Sequence, residues 1–362
     1  MTANPQKPAQ KCLFLFTELA GYIVACMKRL AAQGNVEVHV VRWPVNAVAP
    51  FQFNLEGENL YFYERKDMSD SQLLEFANNL RPDVIFCSGW IDKGYLKVCR
   101  EHKHQVRTVL TFDNPWRNTL KQNIASVFGA LYVKRYFTDC WVSGAPQHVY
   151  ARKLGFNGAA IHEGFYSCDY DLFHSYYLAN REQKSRQFPR RILFVGRYTE
   201  LKGVRELWKA FVTFKDTSNN NWELWCLGKG ELESEFPNHP MIKNFGFVQP
   251  SELGRFISDT GVFILPSHYE HWGVVVHEYA AAGFPLICSA TTSAATAFLK
   301  DGVNGFIHAP ESSESLVEVF RKLDALTDEE LISMGDKSAA LAATITPDTW
   351  VQTVHEYLKH KN

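Results

Sequence analysis

Short apolar runs alternate with segments of helical spacing along most of the chain. The runs at residues 12–16, 36–41 and 84–87 have the composition and length of buried strands. Between the first two, residues 21–32 have apolar side chains at helical spacing. Because strands and helices alternate regularly, the sequence predicts an α/β fold with open, mostly parallel sheets. In such folds, ligands gather beyond the carboxyl ends of the strands.

The length and composition of the chain limit its class. A length of 362 residues predicts about two domains. The composition, with 46% hydrophobic and 21% charged residues, is ordinary for a globular protein. The formal net charge of -1 gives no overall attraction to nucleic acid, so we expect no nucleic-acid partner. A dinucleotide-binding turn would need Gly-x-Gly-x-x-Gly after the first strand, and residues 17–21 lack it. This argues against an NAD enzyme.

Cysteine usage and the first apolar run bear on localisation. The eight cysteines form no Cys-x2-Cys pair, and five of them lie in apolar, strand-like runs. They are typical of small buried side chains in a reducing compartment. The run at residues 12–16 is too short for a signal peptide or a membrane span. We therefore expect a cytoplasmic protein and leave open a peripheral contact with the inner face of the membrane.

A strand-to-helix turn in the second half of the chain holds two glutamates. Residues 261–265 form an apolar run, and residues 274–282 form a helical pattern that stops at a glycine and a proline. The N–H groups that start at Gly273 would then be free donors of a helix N-terminus, which favours a bound phosphate. Glu270 in the turn and Glu278 in the helix could reach opposite ends of one elongated ligand. The alternative is that both are solvated glutamates at a helix end.

A second loop in this half carries two cations. Residues 191–196 form a strand, and the pattern Gly-Arg-x4-Lys-Gly places Arg197 and Lys202 between it and a helix at residues 204–214. Arg can bind two phosphate oxygens at once, whereas Lys acts as a mobile point charge. Together, beside a helix N-terminus, they suit a diphosphate. A basic loop alone would favour plain solvation, but its register with the two glutamates favours a site.

The glutamate pattern resembles a known family. Glu270-x7-Glu278, with Gly273 inside it and an Ala-Ala-Gly-Phe-Pro exit, resembles the donor site of retaining glycosyltransferases of the GT-B fold, glycosyltransferase family 4, or glycosyl transferases group 1. The resemblance implies two Rossmann-like domains facing a central cleft. It further implies an acceptor-binding domain at residues 1–172, a nucleotide-sugar-binding domain at 173–346, and a helix at 347–362 that crosses back to the first domain.

The resemblance also implies roles for individual residues. Arg197 and Lys202 would neutralise the pyrophosphate of the donor. Glu278 would bind the ribose hydroxyls, and Glu270 would contact the sugar and steady the positive charge at its anomeric carbon. The implied catalytic residues are Glu270, Asp113, Arg197 and Lys202. The implied donor-binding residues are Arg197, Lys202, Gly228, Phe247, Val248, Glu270, Trp272, Gly273, Val274 and Glu278. No metal is implied, and no cofactor beyond a UDP- or GDP-sugar as substrate.

Some of these assignments have a structural alternative. In the family, a polar group follows a strand of the first domain and lies near the reacting sugar, and Asp113 occupies that place here. Equally, Asp113 or Asn114 could only start a turn before Pro115. For Phe247, binding of the base and plain core packing stay open.

Two charged segments lie outside the implied site. Residues 118–136 form an amphipathic helical pattern with Lys121, Lys134 and Arg135. It could lie on an anionic membrane or, as is more common, pack into the core with one solvated side. The polar, arginine-rich segment at residues 180–191 has the composition of an interdomain linker, so we expect its charges to be solvated.

The expected activity is a retaining, metal-independent transfer of a sugar from a nucleotide-diphosphate sugar to a hydroxyl of a glycan or lipid-linked acceptor. Cell-surface polysaccharide or lipopolysaccharide synthesis is the expected context. Many relatives carry a Gly-Gly pair ending in Glu where this chain has Ser-Ala-Ala-Thr-Ala at residues 293–297. A non-catalytic sugar-nucleotide-binding subunit of a glycosylation complex therefore stays an alternative, as does another GT-B enzyme such as a phosphorylase.

Overall fold

A computed structural model describes residues 9–17, 19–44 and 55–359 of the chain. The last three residues of the predicted terminal helix, 360–362, lie outside these ranges. The chain divides into two compact units. The first is made of Met1–Asp169 with Ile345–Asn362, and the second is Tyr170–Thr344.

The first unit has a parallel sheet of seven strands in the order β3-β2-β1-β4-β5-β6-β7. The strands are β1 (Gln10–Phe16), β2 (Val36–Arg42), β3 (Leu60–Glu64), β4 (Val84–Ser88), β5 (Arg107–Phe112), β6 (Asp139–Val142) and β7 (Ile161–His162). The helices between them are α1 (Gly21–Ala31), α2 (Asp70–Leu80), α3 (Lys93–His102), α4 (Leu120–Val133) and α5 (Ala145–Lys153). The central strands are apolar along their length because helices cover both faces of a parallel sheet.

The second unit has a parallel sheet of six strands in the order β10-β9-β8-β11-β12-β13. The strands are β8 (Arg191–Val195), β9 (Glu223–Leu227), β10 (Ile242–Asn244), β11 (Val262–Leu265), β12 (Leu286–Ser289) and β13 (Gly305–His308). The helices are α6 (Tyr170–Arg186), α7 (Val204–Thr217), α8 (Leu253–Asp259), α9 (Val274–Ala281), α10 (Ala295–Phe298), α11 (Ser313–Asp324) and α12 (Asp328–Ala342). Strands and helices therefore alternate along most of both units.

The segment predicted as a linker is largely helical, so that prediction is wrong. Residues 180–186 form the end of α6, and their charges are used in packing. Arg181 Nη2 donates to Asp336 Oδ2 on α12 at 2.8 Å. Lys184 is buried, and its Nζ lies 4.0 Å from the centre of the Phe284 ring. These partners are distant in sequence, so local composition does not reveal them.

The chain ends in α13 (Pro347–Lys359), which belongs to the first unit. Trp350 packs against Trp141 with ring centres 5.1 Å apart, and its Nε1 donates to the carbonyl of Phe165 at 3.0 Å. Tyr357 donates from its hydroxyl to the carbonyl of Cys140 at 3.3 Å. The helix therefore completes the core of the first unit. None of the helices within the described ranges combines the length and hydropathy needed to cross a membrane.

Candidate functional site

The sheet of the second unit changes direction between β8 and β11. From β8 the chain adds β9 and β10 on one side, and it then returns to add β11, β12 and β13 on the other. In open α/β sheets, ligands bind in the crevice outside the carboxyl ends of the two strands at such a switch point. Arg197 and Lys202 follow β8, and Glu270 follows β11. The strand order therefore brings the predicted cations and the first predicted carboxylate to the same edge.

Close backbone contacts fasten the two loops to each other. His268 donates its backbone N–H to the carbonyl of Leu201 at 2.9 Å. Gly203 has φ +65°, and a Cβ at that position would lie 2.2 Å from the carbonyl oxygen of Pro266. Only glycine fits there, since it tolerates this φ and leaves room for the facing carbonyl. The glycine of the Gly-Arg-x4-Lys-Gly pattern therefore has a packing role in the site.

Lys202 and Glu270 form a direct ion pair between Nζ and Oε2. Both side chains are largely shielded from solvent, at 20% and 17% exposure. Ser267 donates from its hydroxyl to the same Glu270 oxygen at 3.2 Å. The sequence predicts that both residues lie in one site, but not that they pair with each other. The carboxylate therefore neutralises the cation that was predicted to bind phosphate.

Two helices start at this edge without a side-chain cap. The N-cap residues are Gly203 for α7 and Gly273 for α9, and neither start has a side-chain hydrogen bond. Helix starts of this kind present N–H donors and positive dipole ends, which favour an anion. Gly273 has φ +92°, and a Cβ there would lie 2.9 Å from Glu270 Cγ. Glycine therefore leaves room for the Glu270 side chain, and Val274 is the first residue of α9.

The loop after β9 contacts the loop after β8. Gly196 donates its N–H to the carbonyl of Leu227 at 3.0 Å, and Tyr198 donates to that of Lys229 at 2.9 Å. Gly228 is buried, and a Cβ there would lie 1.9 Å from the carbonyl oxygen of Gly196. This contact gives Gly228 a packing reason to be glycine that is independent of any ligand.

Other predicted donor-binding residues lie in varied surroundings. Phe247 is exposed, so it is not a core residue, and Val248 is partly exposed. Trp272 is buried with its ring centre 6.1 Å from that of Phe298, so its side chain is held in the core. Any contact from Trp272 to a ligand would therefore use its backbone. Glu278 lies partly buried on α9.

Arg197 and Asp113 take no part in the Lys202–Glu270 ion pair. Arg197 is exposed, and it forms no ion pair with any residue that the structure describes. Asp113 belongs to the first unit, directly after β5, where its backbone carbonyl accepts a hydrogen bond from Gln147 Nε2 at 2.8 Å. The structure therefore gathers the predicted cations and glutamates in the second unit and puts Asp113 in the other.

Several residues that the sequence patterns did not single out hold the Glu270 loop. Thr291 Oγ1 donates to the carbonyl of His268 at 2.8 Å, and Ala294 donates its N–H to the carbonyl of Trp272 at 2.9 Å. These contacts cross between loops, so no local pattern could have found them. The loop at residues 291–294, directly before α10, thus supports the Glu270 loop.

The histidines near the glutamates have structural partners. His268 Nε2 lies 2.9 Å from Glu206 Oε2 on α7. His277 is buried, with Nε2 3.0 Å from the carbonyl oxygen of Ala342 and its ring stacked 4.1 Å from that of Phe298. Within the described ranges, no three His, Cys, Asp or Glu side chains cluster in a way that could hold a metal ion.

Comparison with known proteins identifies the part of the chain that holds this site. Residues 179–338 match the family model described as glycosyl transferases group 1. The match covers less than half of the chain, and all of it lies in the second unit. The matched segment contains Arg197, Lys202, Glu270 and Glu278, together with the switch point of the second sheet.

Curated relatives match the chain over limited stretches. An uncharacterized glycosyltransferase of Methanocaldococcus jannaschii is 30% identical over 133 residues, which are 34% of this chain and 33% of that protein. The amylovoran biosynthesis glycosyltransferase AmsK of Erwinia amylovora is 26% identical over 148 residues, 37% of this chain and 36% of that protein. The chain therefore spans only about a third of the length of these relatives.

Solved structures match over nearly the whole chain. The structure of HepE from Anabaena, in complex with UDP and glucose, has a TM-score of 0.71 at 14% identity. The match covers 97% of this chain and 99% of HepE. At this identity the likeness concerns the fold. The predicted fold class, α/β with two Rossmann-like domains of the GT-B type, is confirmed.

Proposed function

We propose that this chain is a retaining, metal-independent glycosyltransferase of family 4. It would move a sugar from a UDP- or GDP-sugar to a hydroxyl of a glycan or lipid-linked acceptor in polysaccharide or lipopolysaccharide synthesis. The observation that carries the proposal is the Lys202–Glu270 pair at the switch point, between two helix starts that lack side-chain caps. The family match of residues 179–338 supports it. The relative named for amylovoran biosynthesis and the HepE complex with UDP and glucose support the proposed context and donor.

The ion pair gives the proposed mechanism a defined first step. A donor diphosphate placed at the helix starts would draw Lys202 away from Glu270, because the diphosphate carries two negative charges and the carboxylate only one. Lys202, together with the exposed Arg197, would then stabilise the negative charge that develops as the diphosphate leaves. Glu270 would be free to bind the sugar hydroxyls and to stabilise positive charge at the anomeric carbon.

The alternative is a sugar-nucleotide-binding subunit without catalytic activity. It keeps the same binding residues, so binding alone does not distinguish it from the enzyme. The chain departs from the family's Gly-Gly-Glu pattern at residues 293–297. This departure is the observation that favours the non-catalytic alternative. Turnover in the presence of an acceptor decides between the two.

A binding screen tests the proposal. Thermal unfolding is measured with UDP-, GDP- and ADP-sugars, since a ligand that binds the native state raises the unfolding temperature. The dissociation constant of the selected donor is then measured for Lys202→Ala. Loss of a charged hydrogen bond to phosphate should raise it by about 10- to 100-fold. Lys209→Ala, an exposed lysine on α7, is the matched control and should leave it unchanged.

Product analysis tests the finer parts of the proposal. We expect the glycosidic bond of the product to keep the donor's anomeric configuration, as read by NMR, and turnover to persist in excess EDTA. An inverted product, or activity that EDTA abolishes, would overturn those parts while leaving donor binding intact. Failure of every nucleotide sugar to bind would overturn the proposal as a whole.

A further inference from the structure

Helix α4 of the first unit turns its large apolar side chains toward solvent. Five of them, which we call the α4 apolar face, are between 54% and 77% exposed: Leu120, Ile124, Val127, Phe128 and Leu131. Their spacing places them along one side of a helix. An isolated exposed leucine needs no explanation, but five large apolar side chains on one face of one helix do.

The opposite side of α4 is the one that packs. Val133 is buried, and a Cβ at Gly129 would lie 3.1 Å from Leu154 Cδ2 at the end of α5. Ala130 Cβ lies 3.1 Å from the position that a Cβ on Gly155 would take. The helix therefore packs through small residues and leaves the large ones outside. Of the two alternatives left open for this amphipathic pattern, burial of its apolar side in the core does not hold for the described residues.

The surroundings of the α4 apolar face are basic. Between residues 114 and 138 the sequence contains Arg117, Lys121, Lys134 and Arg135 but neither Asp nor Glu. All four basic residues are exposed. The chain as a whole has 38 basic and 39 acidic residues, so this local excess of positive charge is not a property of the composition. An apolar helix face bordered by cations is complementary to the surface of an anionic bilayer.

We propose that the α4 apolar face docks this protein onto an anionic lipid surface, with the four basic residues at the headgroups. A second copy of the chain is the less favourable occupant, because a two-fold interface through this face would bring like charges together. An uncharged apolar partner would leave the cations without a role. The proposal concerns the first unit and does not depend on the proposed sugar transfer, although a docked enzyme would meet lipid-linked acceptors at the surface.

Vesicle sedimentation tests this inference. The full chain is mixed with phosphatidylcholine vesicles that contain one quarter phosphatidylglycerol, and separately with pure phosphatidylcholine vesicles. We expect binding to the anionic vesicles, weaker binding to the neutral ones, and a marked decrease of the former at high salt. The vesicles carry no donor or acceptor, so a failure here is distinct from a failure of the proposed function.

Variants identify the contact. Phe128→Ser with Leu131→Ser should weaken binding to anionic vesicles by at least about tenfold, because both side chains would insert below the headgroups. Leu178→Ser on α6 removes an apolar side chain of 66% exposure elsewhere and is the matched control, with binding expected to stay unchanged. Unaltered circular dichroism and an unaltered unfolding temperature show that each variant is folded.

Several outcomes would overturn the inference. These are failure to bind the anionic vesicles, equal binding to neutral vesicles, or equal loss of binding in the Leu178→Ser control. Sedimentation equilibrium supplies a further outcome that would overturn the inference. If the unmodified chain is a dimer without lipid and Phe128→Ser with Leu131→Ser makes it monomeric, the face is an interface between copies instead of a membrane contact.

Discussion

The ion pair between Lys202 and Glu270 couples the two loops that follow β8 and β11. These residues are 68 positions apart in sequence and meet only because β8 and β11 are neighbours in the sheet. The pair also holds each side chain in place. Because a diphosphate must replace Glu270 as the partner of Lys202, the same carboxylate that assists transfer opposes the binding of the free nucleotide. The two effects can be separated by a single substitution.

Glu270→Gln should raise the affinity for free UDP or GDP while lowering turnover. The amide keeps the shape of the side chain but no longer neutralises Lys202, so the ammonium is more available to phosphate. We expect the dissociation constant of the nucleoside diphosphate to fall by about 2- to 10-fold, the size of one typical hydrogen bond. Calorimetric titration measures it. Glu314→Gln, which removes the carboxylate from the exposed pair with Lys209, is the control and should change neither quantity.

Lys184 is a residue whose burial has a cost at neutral pH. Removal from water lowers the pKa of its ammonium from 10.5 to about 7, an effect that nearby Asp259 opposes. The unfolded chain then binds more protons than the folded chain between these two values, so stability rises with pH across that window. Below pH 7 the cost is fully present, and above 10.5 it is absent. The Phe284 ring, 4.0 Å away, offsets part of it by contact with the cation.

Lys184→Met should therefore stabilise the protein at pH 7 by about 1 to 3 kcal/mol, as replacement of a buried charge by an apolar side chain often does. The gain should shrink at pH 10, where the wild-type lysine is largely neutral. Denaturant unfolding at both pH values measures the difference. Lys209→Met replaces an exposed lysine and is the control. Its effect on the free energy of unfolding should not depend on pH in this way. A variant less stable than wild type at pH 7 would mean that the cation holds α6 in place.

At the scale of elements, the site is built from loops that are packed on each other by glycines. Gly203 and Gly228 each face a carbonyl of a neighbouring loop at a distance that no side chain could share. Such contacts fix the positions of the helix starts at α7 and α9 relative to β8 and β11. The geometry of the anion site therefore depends on residues that would not touch the ligand.

Gly203→Ala should destabilise the second unit and weaken donor binding together. Gly302 provides a matched control, because it has a similar φ of +70° but no atom within 4 Å of an added Cβ. Gly302→Ala should show only the cost of the left-handed conformation, about 1 kcal/mol. Gly203→Ala adds the clash with Pro266. We therefore expect its free energy of unfolding to fall by at least about 1 kcal/mol more than that of Gly302→Ala. Denaturant unfolding and donor titration measure both effects. Equal losses in the two variants would show that the Pro266 contact is unimportant.

What could be predicted from the sequence was local in origin. The strands at residues 84–87 and 261–265 and the helix after Gly273 follow from short apolar runs and from glycine and proline signals, and the structure contains them within a residue or two. The end of α6 was missed because Lys184 is held by Phe284, a contact that composition does not show. The periodicity of α4 was recognised, but periodicity does not state which side of a helix is covered.

For the site as well, local features could be predicted from the sequence, whereas contacts between distant residues could not. The patterns placed Lys202 and Glu270 together because both follow strands that lead into helices. Their direct pairing could not be predicted, since it depends on the strand order of the sheet and on side-chain conformation. The burial of Trp272 was missed for a similar reason, because its neighbour Phe298 comes from a different element. Long-range partners are the part that a single sequence does not specify.

At the scale of the whole molecule, the second unit is continuous and the first is not. The chain forms most of the first unit, then all of the second, and returns to the first with α13. During synthesis, the core of the first unit can therefore be completed only after the whole second unit has been translated. Trp350 joins α13 to this core, since it lies against both Phe14 and Trp141 and donates to the carbonyl of Phe165.

Trp350→Ala should loosen the first unit and leave the second intact. Loss of a buried tryptophan costs about 3 to 5 kcal/mol, and the Phe165 carbonyl also loses its donor. Hydrogen exchange read by mass spectrometry measures this segment by segment, and β1 and β4 should exchange faster while β8 and β11 keep their protection. Trp222→Ala is the matched control, because Trp222 is equally buried in the second unit and donates to Asp324 Oδ1 at 3.0 Å. It should give the opposite pattern. If either variant loosened both units alike, the two would unfold as one cooperative body, and α13 would stabilise the whole chain instead of the first unit alone.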